Sequence, residues 1–262
     1  MRIVKLKFSI LNLKIPMRIA VFSDVHGNQE ALEAFIADVS RRKVNLYVCL
    51  GDVVGYGANP NECIAILQSL PDISFVLGNH DAAAVESDYP YDMNRDAARA
   101  MRWTVERLSE ESIAFLKNMQ PSIKIDNMLF SHSNPYSPLA WYYVNDTEYA
   151  ARSFARTTEK ILFIGHTHVS LMITRKNIFS MLFESPEENT AVYIDRRKRH
   201  IVNCGSIGQP RDGDPRASYL IYDTKKGVME FYRIDYDYET TAEKIRSKGL
   251  PESLAMRLLM GE

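Results

Sequence analysis

Ile19-Ala-Val-Phe-Ser-Asp24-Val-His26-Gly27-Asn28 is the stretch that decides the fold. Its apolar, β-branched first half is typical of a buried strand, and it ends in an aspartate and a histidine two positions apart. Side chains two apart on an extended chain point the same way, so we expect Asp24 and His26 to face one site. Gly27 permits a sharp turn, and Asn28 is suited to cap the helix predicted next. The stretch therefore predicts a strand that carries an oxygen and a nitrogen ligand at its carboxyl end.

The same pattern recurs twice downstream. The strand predicted near residue 46 is followed by Asp52, and the strand predicted near residue 73 is followed by Asn79 and His80. The starts near residues 19, 46 and 73 are spaced like βαβ units of about 30 residues. Right-handed crossovers would then bring Asp24, Asp52 and Asn79 to one sheet edge.

Histidines are concentrated at these strand ends. Five of the six follow a predicted strand, and His200 does not: the five are His26, His80, His132, His166 and His168. Together with Asp24, Asp52 and Asn79 they offer nitrogen and oxygen donors, a mixture suited to Mn²⁺, Fe, Co or Zn rather than to Ca²⁺ or Mg²⁺ alone. This donor set exceeds the needs of one tetrahedral zinc, and it fits two metals that share a carboxylate.

Bulk composition narrows the class of protein. The chain has 262 residues and a net charge of −1, from 32 basic and 33 acidic side chains. This balance predicts no membrane partner and disfavours a nucleic-acid partner. The basic run Arg196-Arg-Lys-Arg199 is typical of a solvated turn. No apolar segment approaches the roughly 18 residues of a membrane span. The three scattered cysteines lack a disulfide pattern, which favours a reducing cytoplasm.

The domain organisation is read from changes in pattern along the chain. We expect residues 1–16 to be an N-terminal extension, with an alternation suited to an added edge strand. Residues 17–262 are expected to form a single domain with a helical insertion at about 82–120. Short alternating strands over residues 171–234 predict a second, mainly antiparallel sheet.

The motifs resemble those of the calcineurin-like metallophosphoesterases, in order and spacing over nearly all of residues 17–235. The matching blocks are Asp24-Val-His26, Gly51-Asp52-Val-Val-Gly-Tyr-Gly57, Gly78-Asn79-His80-Asp81, His132 and Gly165-His166-Thr-His168. The later run from Asn203 to Tyr219 resembles a bacterial and archaeal phosphodiesterase branch that includes dinucleoside tetraphosphate hydrolases. That branch usually has proline where Cys204 stands and glycine where Ser133 stands.

The resemblance implies an α/β fold, a four-layer α/β/β/α sandwich of two mixed β-sheets. It also implies two divalent metal ions, Mn²⁺ first and Fe, Zn, Ni or Co as alternatives. One ion would be held by Asp24, His26 and His168, and the other by Asn79, His132 and His166. Asp52 would bridge the two ions, and His80 would be the catalytic histidine.

The function implied is hydrolysis of phosphodiester or dinucleoside polyphosphate bonds by a metal-bridging hydroxide. His80, as an imidazolium, is expected to donate to the leaving-group oxygen or to charge developing on the phosphoryl group. Arg211 is suited to bind phosphate but equally typical of a solvated loop, and Tyr56 is similarly ambiguous. The aromatic run 141–143 is suited to stack on a nucleobase, but core and rim packing is the favoured interpretation.

Three alternatives remain open: a phosphomonoesterase, a nuclease of the same superfamily, and a non-catalytic metal-binding scaffold. A nuclease would need a basic groove, which the near-neutral charge does not indicate. The scaffold interpretation is disfavoured because the retromer scaffold subunit, which resembles this fold, lacks the catalytic histidine that His80 supplies here. The sequence leaves the substrate and the oligomeric state open.

Overall fold

The computed structural model describes residues 16–86, 93–178 and 180–262. Within them, twelve strands form two mixed sheets of six. The edge strand expected in residues 1–16 falls outside the described residues, except for residue 16 itself. No helix in the described part has the length and apolarity needed to cross a bilayer.

The first sheet is built on three parallel strands from the start of the chain. Its order is β3 (Ile73–Phe75), β2 (Leu46–Cys49), β1 (Arg18–Phe22), β11 (Ala217–Asp223), β12 (Val228–Ile234) and β9 (Ala191–Tyr193). β1 pairs in parallel with β2, and β2 with β3, while β11, β12 and β9 add antiparallel strands beyond β1. The parallel pairing thus puts the carboxyl ends of β1, β2 and β3 side by side.

The second sheet has a parallel centre and antiparallel edges. Its order is β4 (Ser122–Ile125), β5 (Met128–Ser131), β6 (Ile161–Ile164), β10 (Arg199–Cys204), β7 (Ser170–Arg175) and β8 (Met181–Glu184). β5, β6 and β10 are mutually parallel, whereas β4 and β5 form an antiparallel hairpin. The carboxyl ends of β5 and β6 are therefore neighbours as well.

The prediction for residues 171–234 is wrong in one respect. These strands do not form a sheet of their own: β7, β8 and β10 join the second sheet, and β9, β11 and β12 join the first. Alternating hydrophobicity shows that a strand is packed on a core, but it does not show which neighbour it pairs with. That choice is made by long-range pairing, such as Ile19 of β1 opposite Tyr222 of β11.

Alternate residues of the central strands face different layers. Ile19 and Val21 of β1 pack between the sheets against residues of the second sheet such as Phe163, while Ala20 and Phe22 pack outward against α1. The second sheet likewise covers its outer face with α6. The four-layer α/β/β/α sandwich of two mixed sheets is therefore confirmed.

Five of the eight α-helices in the described residues begin at a residue whose side chain accepts a capping hydrogen bond. Asn28 accepts a hydrogen bond from the Ala31 amide at 3.1 Å, as predicted, and starts α1. Cys49, Cys63 and Cys204 are buried free thiols. The α-helices within the described residues are α1 (Gln29–Val39), α2 (Pro60–Gln68), α3 (Asn79–Val85), α4 (Arg95–Val105), α5 (Glu110–Leu116), α6 (Thr147–Arg156), α7 (Tyr238–Ser247) and α8 (Glu252–Met260).

Candidate active site

The predicted ligands come from loops at the carboxyl ends of five strands. In the first sheet, Asp24 and His26 follow β1, Asp52 follows β2, and Asn79 begins the helix after β3. In the second sheet the remaining histidines follow β5 and β6, at the same end of the sandwich: His132, His166 and His168. The structure therefore brings all seven predicted ligands to one edge, as expected for an α/β protein.

The loops themselves are not extended, which corrects one expectation. Asp24 and His26 have φ values of +57° and +51°, so they face one centre through a left-handed turn, not through strand alternation. Asp52, His166 and His168 are also left-handed, with φ of +52°, +67° and +61°. This conformation costs about 1–2 kcal/mol per non-glycine residue. Strain of this kind concentrates at functional sites.

One group of donor atoms forms around Asp24. Its Oδ1 lies 3.2 Å from Nε2 of His168 and 3.8 Å from Nε2 of His26, and those two nitrogens are 3.2 Å apart. Donor atoms bound to a single ion at about 2.1 Å are separated by roughly 3 Å. All three side chains are buried. The distances between their donor atoms are therefore close to those expected for ligands of one ion.

A second group forms around His132. Its Nε2 lies 3.0 Å from Nδ1 of His166, 3.1 Å from Oδ1 of Asn79 and 3.3 Å from Oδ2 of Asp52. The same Asp52 oxygen lies 3.7 Å from Nε2 of His26, which belongs to the first group. Asp52 therefore stands between the two groups, where one carboxylate can serve both.

Backbone carbonyls fix the tautomers of the four imidazoles. Nδ1 of His26, His132 and His168 donates to the carbonyls of Val54, Leu50 and Gln209, at 3.1, 3.0 and 2.5 Å. His166 is reversed: its Nε2 donates to the Trp141 carbonyl at 2.9 Å. Each ring thus turns its other nitrogen toward the centre. Outer partners of this kind orient metal-binding histidines.

These contacts leave Nε2 of His26, Nε2 of His168 and Oδ1 of Asp24 facing one another. Oδ1 of Asp24 is buried and accepts no hydrogen bond from any described residue. Lone pairs of His26 and His168 would repel at 3.2 Å unless a cation or proton lay between them. Buried polar atoms normally have partners. The donor set therefore fits divalent cations: oxygen and nitrogen ligands, no cysteine, two groups and a shared carboxylate.

The charge states also suit cation binding. Burial lowers the pKa of His166 to about 3 and that of His26 well below its usual range, so both rings are neutral. Burial would raise the pKa of Asp52, but His132 and His80 bring it well below its usual range. Burial lowers the pKa of His132, yet Asp52 and Asp24 outweigh it and raise that pKa to about 9. A proton on His132 partly neutralises the carboxylates when no metal is bound.

Two glycines let the loops come close enough. A Cβ on Gly78 would lie 2.1 Å from Oδ1 of Asp52, and one on Gly165 would lie 2.8 Å from Oδ2 of Asp24. Nδ2 of Asn203 donates to the Gly165 carbonyl at 2.6 Å and so anchors that loop. The sequence presents both glycines within motif blocks, but their role is visible only once the loops are packed together.

Asp81 is a site residue to which the sequence pattern assigned no role. Its Oδ1 accepts from the amides of Val53 and Val54 at 2.9 and 3.2 Å, and its Oδ2 accepts from the Gly78 amide at 3.2 Å. It thereby ties the loop after β2 to the turn that carries His80. Burial and the Asp52 charge raise the pKa of Asp81 to about 7. Its place in the Gly-Asn-His-Asp block is the one signal that the sequence offers for it.

His80 lies beside the two donor groups, in a cleft. Its ring packs 4.8 Å from the His26 ring and 4.5 Å from the Tyr56 ring, and its buried Nδ1 has no hydrogen-bond partner among the described residues. Burial lowers the pKa of His80 to about 4. The expected imidazolium is therefore not the state of the free protein at neutral pH, because a buried ring favours the uncharged form. The neutral ring still carries one N–H donor.

The cleft has a volume of about 190 Å³ and opens over His80. Tyr56 and Arg211 both line it, and Nη2 of Arg211 lies 3.5 Å from the Tyr56 hydroxyl. Tyr143, from the aromatic run, stacks on His166 at 4.3 Å and leaves half of its surface exposed. Arg257 of α8 also lines the cleft, although no sequence pattern singled it out.

A double sandwich that gathers histidines and carboxylates at one edge is the architecture of a metallophosphoesterase. The sequence profile of the calcineurin-like phosphoesterase superfamily domain matches residues 17–227. The chain belongs to this superfamily, and its membership indicates metal-dependent hydrolysis of phosphoesters.

Three proteins of known sequence or structure are similar to this chain. The Methanocaldococcus jannaschii protein MJ0912 is 37% identical over 247 residues, which cover 93% of this chain and 98% of that protein. The crystal structure of a metallophosphoesterase from Sphaerobacter thermophilus is 35% identical, with a TM-score of 0.84, and covers 95% of this chain and 100% of its own. Pyrococcus horikoshii PH1004 shares the fold at 20% identity, with a TM-score of 0.73 over 94% of this chain and 98% of its own.

Proposed function

We propose that this protein is a dinuclear metal-dependent phosphoesterase that cleaves phosphodiester or dinucleoside polyphosphate bonds. The observation that carries the proposal is the pair of donor groups joined by Asp52, with His80 and an open cleft beside them. Membership of the superfamily supports the reaction class. A binding scaffold has no need for a buried imidazole such as His80, which holds no predicted metal but faces the cleft.

The predicted ligands would bind two ions, one for each of the two donor groups described above. Asp24, His26 and His168 would hold one ion, and Asn79, His132 and His166 the other. Asp52 has one oxygen near both groups and would bridge them. When bound, two divalent cations supply a water of lowered pKa and neutralise phosphate oxygens. Mn²⁺ is the first choice, because mixed nitrogen and oxygen ligands suit it, and Fe, Zn, Ni or Co would also fit.

The remaining residues would handle the phosphoryl group. In the balanced reaction, the oxygen of one water bonds to phosphorus and the bond from phosphorus to the leaving oxygen breaks. The leaving oxygen takes up one proton of that water, and the other stays with the phosphate product or is released to solvent. His80, neutral in the free protein, would donate its N–H to a phosphoryl oxygen as negative charge develops there. Arg211, held by Oε1 of Gln209 at 2.8 Å and adjacent to Tyr56, would bind a further phosphoryl oxygen.

The domain and cellular setting complete the proposal. We take residues 17–262 as a single unit in which the helices of about 82–120 serve the site, since Met93, Asn94 and Ala97 line the cleft. A small phosphoester or nucleotide fits a cleft of about 190 Å³ better than a nucleic-acid duplex does. The buried free thiols support a reducing cytoplasm.

A substrate panel on chelator-stripped protein tests the proposal. The panel compares p-nitrophenyl phosphate, bis(p-nitrophenyl) phosphate, diadenosine tetraphosphate and single-stranded DNA, each with Mn²⁺, Fe²⁺, Co²⁺, Ni²⁺, Zn²⁺ or Mg²⁺. We expect metal-dependent turnover of the diester or the polyphosphate and little of the monoester. Preference for the monoester or for DNA would contradict the proposed substrate class. No turnover with any metal would contradict the proposal that the protein is an enzyme.

A further inference from the structure

Two arginines line the cleft without an acidic partner. Arg211 bonds to the neutral groups of Gln209 and Tyr56, and the Arg257 guanidinium makes no hydrogen bond or ion pair within the described residues. Among the described lining residues, Asp52 is the sole carboxylate, and it belongs to the predicted metal ligands. The cleft thus has two fixed positive charges that the protein does not neutralise.

Arg257 is held in place by a packed helix. Leu254, Ala255 and Leu258 of α8 are buried in an apolar cluster that also contains Tyr56 and Ala97, from two other walls of the cleft. The position of Arg257 is therefore set by core packing, unlike that of a side chain on a free surface.

The end of the same helix contacts the loop that carries Arg211. The Gly213 amide donates to the Gly261 carbonyl at 2.9 Å, and a Cβ on Gly261 would lie 2.6 Å from the Asp214 amide nitrogen. Gly261 has a φ of +70° and ends α8, so a close approach here needs glycine. This contact links the elements that present Arg211 and Arg257.

Arg246, a neighbouring arginine, has the acidic partner that Arg257 lacks among the described residues. Arg246 of α7 is exposed and forms a fork with the Glu252 carboxylate, with the closest atoms 2.7 Å apart. Such a pair is a surface ion pair of small energetic value. Arg257 has no such partner among the described residues and faces a cleft that leads to His80.

We propose that Arg257 forms a subsite for a second phosphate of the substrate, beside the reacting phosphoryl group that Arg211 would bind. The inference rests on the proposed function and narrows it from diesters in general to substrates with linked phosphates, such as dinucleoside polyphosphates. A simple diester has one phosphate and one negative charge, so it would leave the second guanidinium without a partner. Guanidinium groups match phosphate oxygens in forked geometry.

Calorimetric binding of two hydrolysis-resistant probes tests the subsite directly. Methylenediphosphonate carries two linked phosphonates and methylphosphonate carries one. Both are titrated into Mn²⁺-loaded and chelator-stripped protein, for the parent, Arg257→Gln, Arg257→Lys and the control Arg246→Gln. The control removes the charge of an arginine that contacts α8 outside the cleft.

We expect Arg257→Gln to weaken methylenediphosphonate binding about 10- to 100-fold, the value of a charge-assisted contact of about 1.5–3 kcal/mol. Methylphosphonate affinity should change less than about threefold, Arg257→Lys should lie between, and Arg246→Gln should match the parent. Equal weakening of both probes, or no change in either, would overturn the subsite.

Kinetics separate this inference from the proposed function. Arg257→Gln should lower kcat/KM for diadenosine tetraphosphate by about 10- to 100-fold and that for bis(p-nitrophenyl) phosphate by less than about threefold. A parent protein inactive on every phosphoester would contradict the proposed function, while the calorimetry would still report on the subsite. If the parent is active but Arg257→Gln changes kcat/KM equally for both substrates, the subsite is contradicted and the proposed function is not.

Discussion

The two ends of the second sheet contain buried histidines in very different surroundings. His200 lies near the start of β10, where its Nδ1 faces the Thr174 hydroxyl at 3.0 Å and its Nε2 faces the Asp195 carbonyl at 3.1 Å. A neutral imidazole is satisfied by one acceptor and one hydroxyl, so this ring has all the partners it needs. His200 is a structural histidine.

His132 follows β5 at the opposite end. Its Nδ1 is also satisfied by a carbonyl, but its Nε2 faces an amide oxygen, a carboxylate and another ring nitrogen within 3.3 Å. No single proton satisfies all three neighbours. The comparison teaches that burial and residue type do not by themselves identify a candidate ligand. What distinguishes the two histidines is whether one ring nitrogen faces several donor atoms that a single proton cannot satisfy.

The largest difference between the candidate site and the end of the sheet that holds His200 should be seen in turnover. We expect His80→Ala to lower kcat about 10²- to 10³-fold, because it removes a donor to developing phosphoryl charge. Metal content, measured by mass spectrometry, should remain that of the parent, since His80 is not among the predicted ligands. Loss of both metals would make His80 a ligand, and unchanged kcat would leave it without a role.

The outer partners of the site should matter less than His80 but still strongly. Asp81→Asn keeps the shape of the side chain but replaces an acceptor oxygen with an amide donor, so at least one of three backbone amides loses its partner. Metal affinity or kcat should fall about 10- to 100-fold, as for other outer partners of metal sites. Asp223→Asn, which disturbs the Lys226 amide contact of a distant turn, is the matched control. Equal effects of the two changes on metal affinity would contradict the role of Asp81.

Metal affinity should also depend on pH, in a direction that His132 sets. Its pKa of about 9 without metal means that it is protonated at pH 7, and a metal must displace that proton. Apparent affinity for Mn²⁺ should therefore rise about tenfold per pH unit from pH 7 toward 9 and then level off. Calorimetry in two buffers of different ionisation enthalpy should detect the released proton at pH 7. Binding without proton release would show that His132 is neutral or not a ligand.

The smallest effect is expected at the satisfied histidine. His200→Gln should leave kcat and metal content unchanged and lower the free energy of unfolding by about 1–2 kcal/mol, the cost of disturbed buried hydrogen bonds. Urea unfolding at neutral pH measures this. Reduced metal content would mean that the two ends of the sheet are not functionally distinct.

The sequence predicted which residues the fold brings to one edge better than it predicted how the later strands pair. Each predicted ligand follows a short apolar run and a turn, so a local pattern is enough to single out residues such as Asp24, Asp52 and His132. Strand spacing and crossover handedness then place the carboxyl ends of the first three strands together. Such signals are local, and they survive in a single sequence.

What remained unpredictable depends on contacts between distant segments. The antiparallel pairing of β11 with β1 joins residues some 200 positions apart, and no local pattern selects it. The left-handed conformation of Asp24 and His26 is imposed by packed loops. Arg257 lies on an ordinary amphipathic helix, and only the packing of α8 against Tyr56 and α4 places it at the cleft.

Anomalous diffraction from crystals soaked in Mn²⁺ tests the central claim most directly. We expect two peaks about 3.5–4 Å apart, one among Asp24, His26 and His168, the other among Asn79, His132 and His166, with the Asp52 carboxylate between them. A protein with no peak at this edge, or with a metal bound elsewhere, would contradict the account.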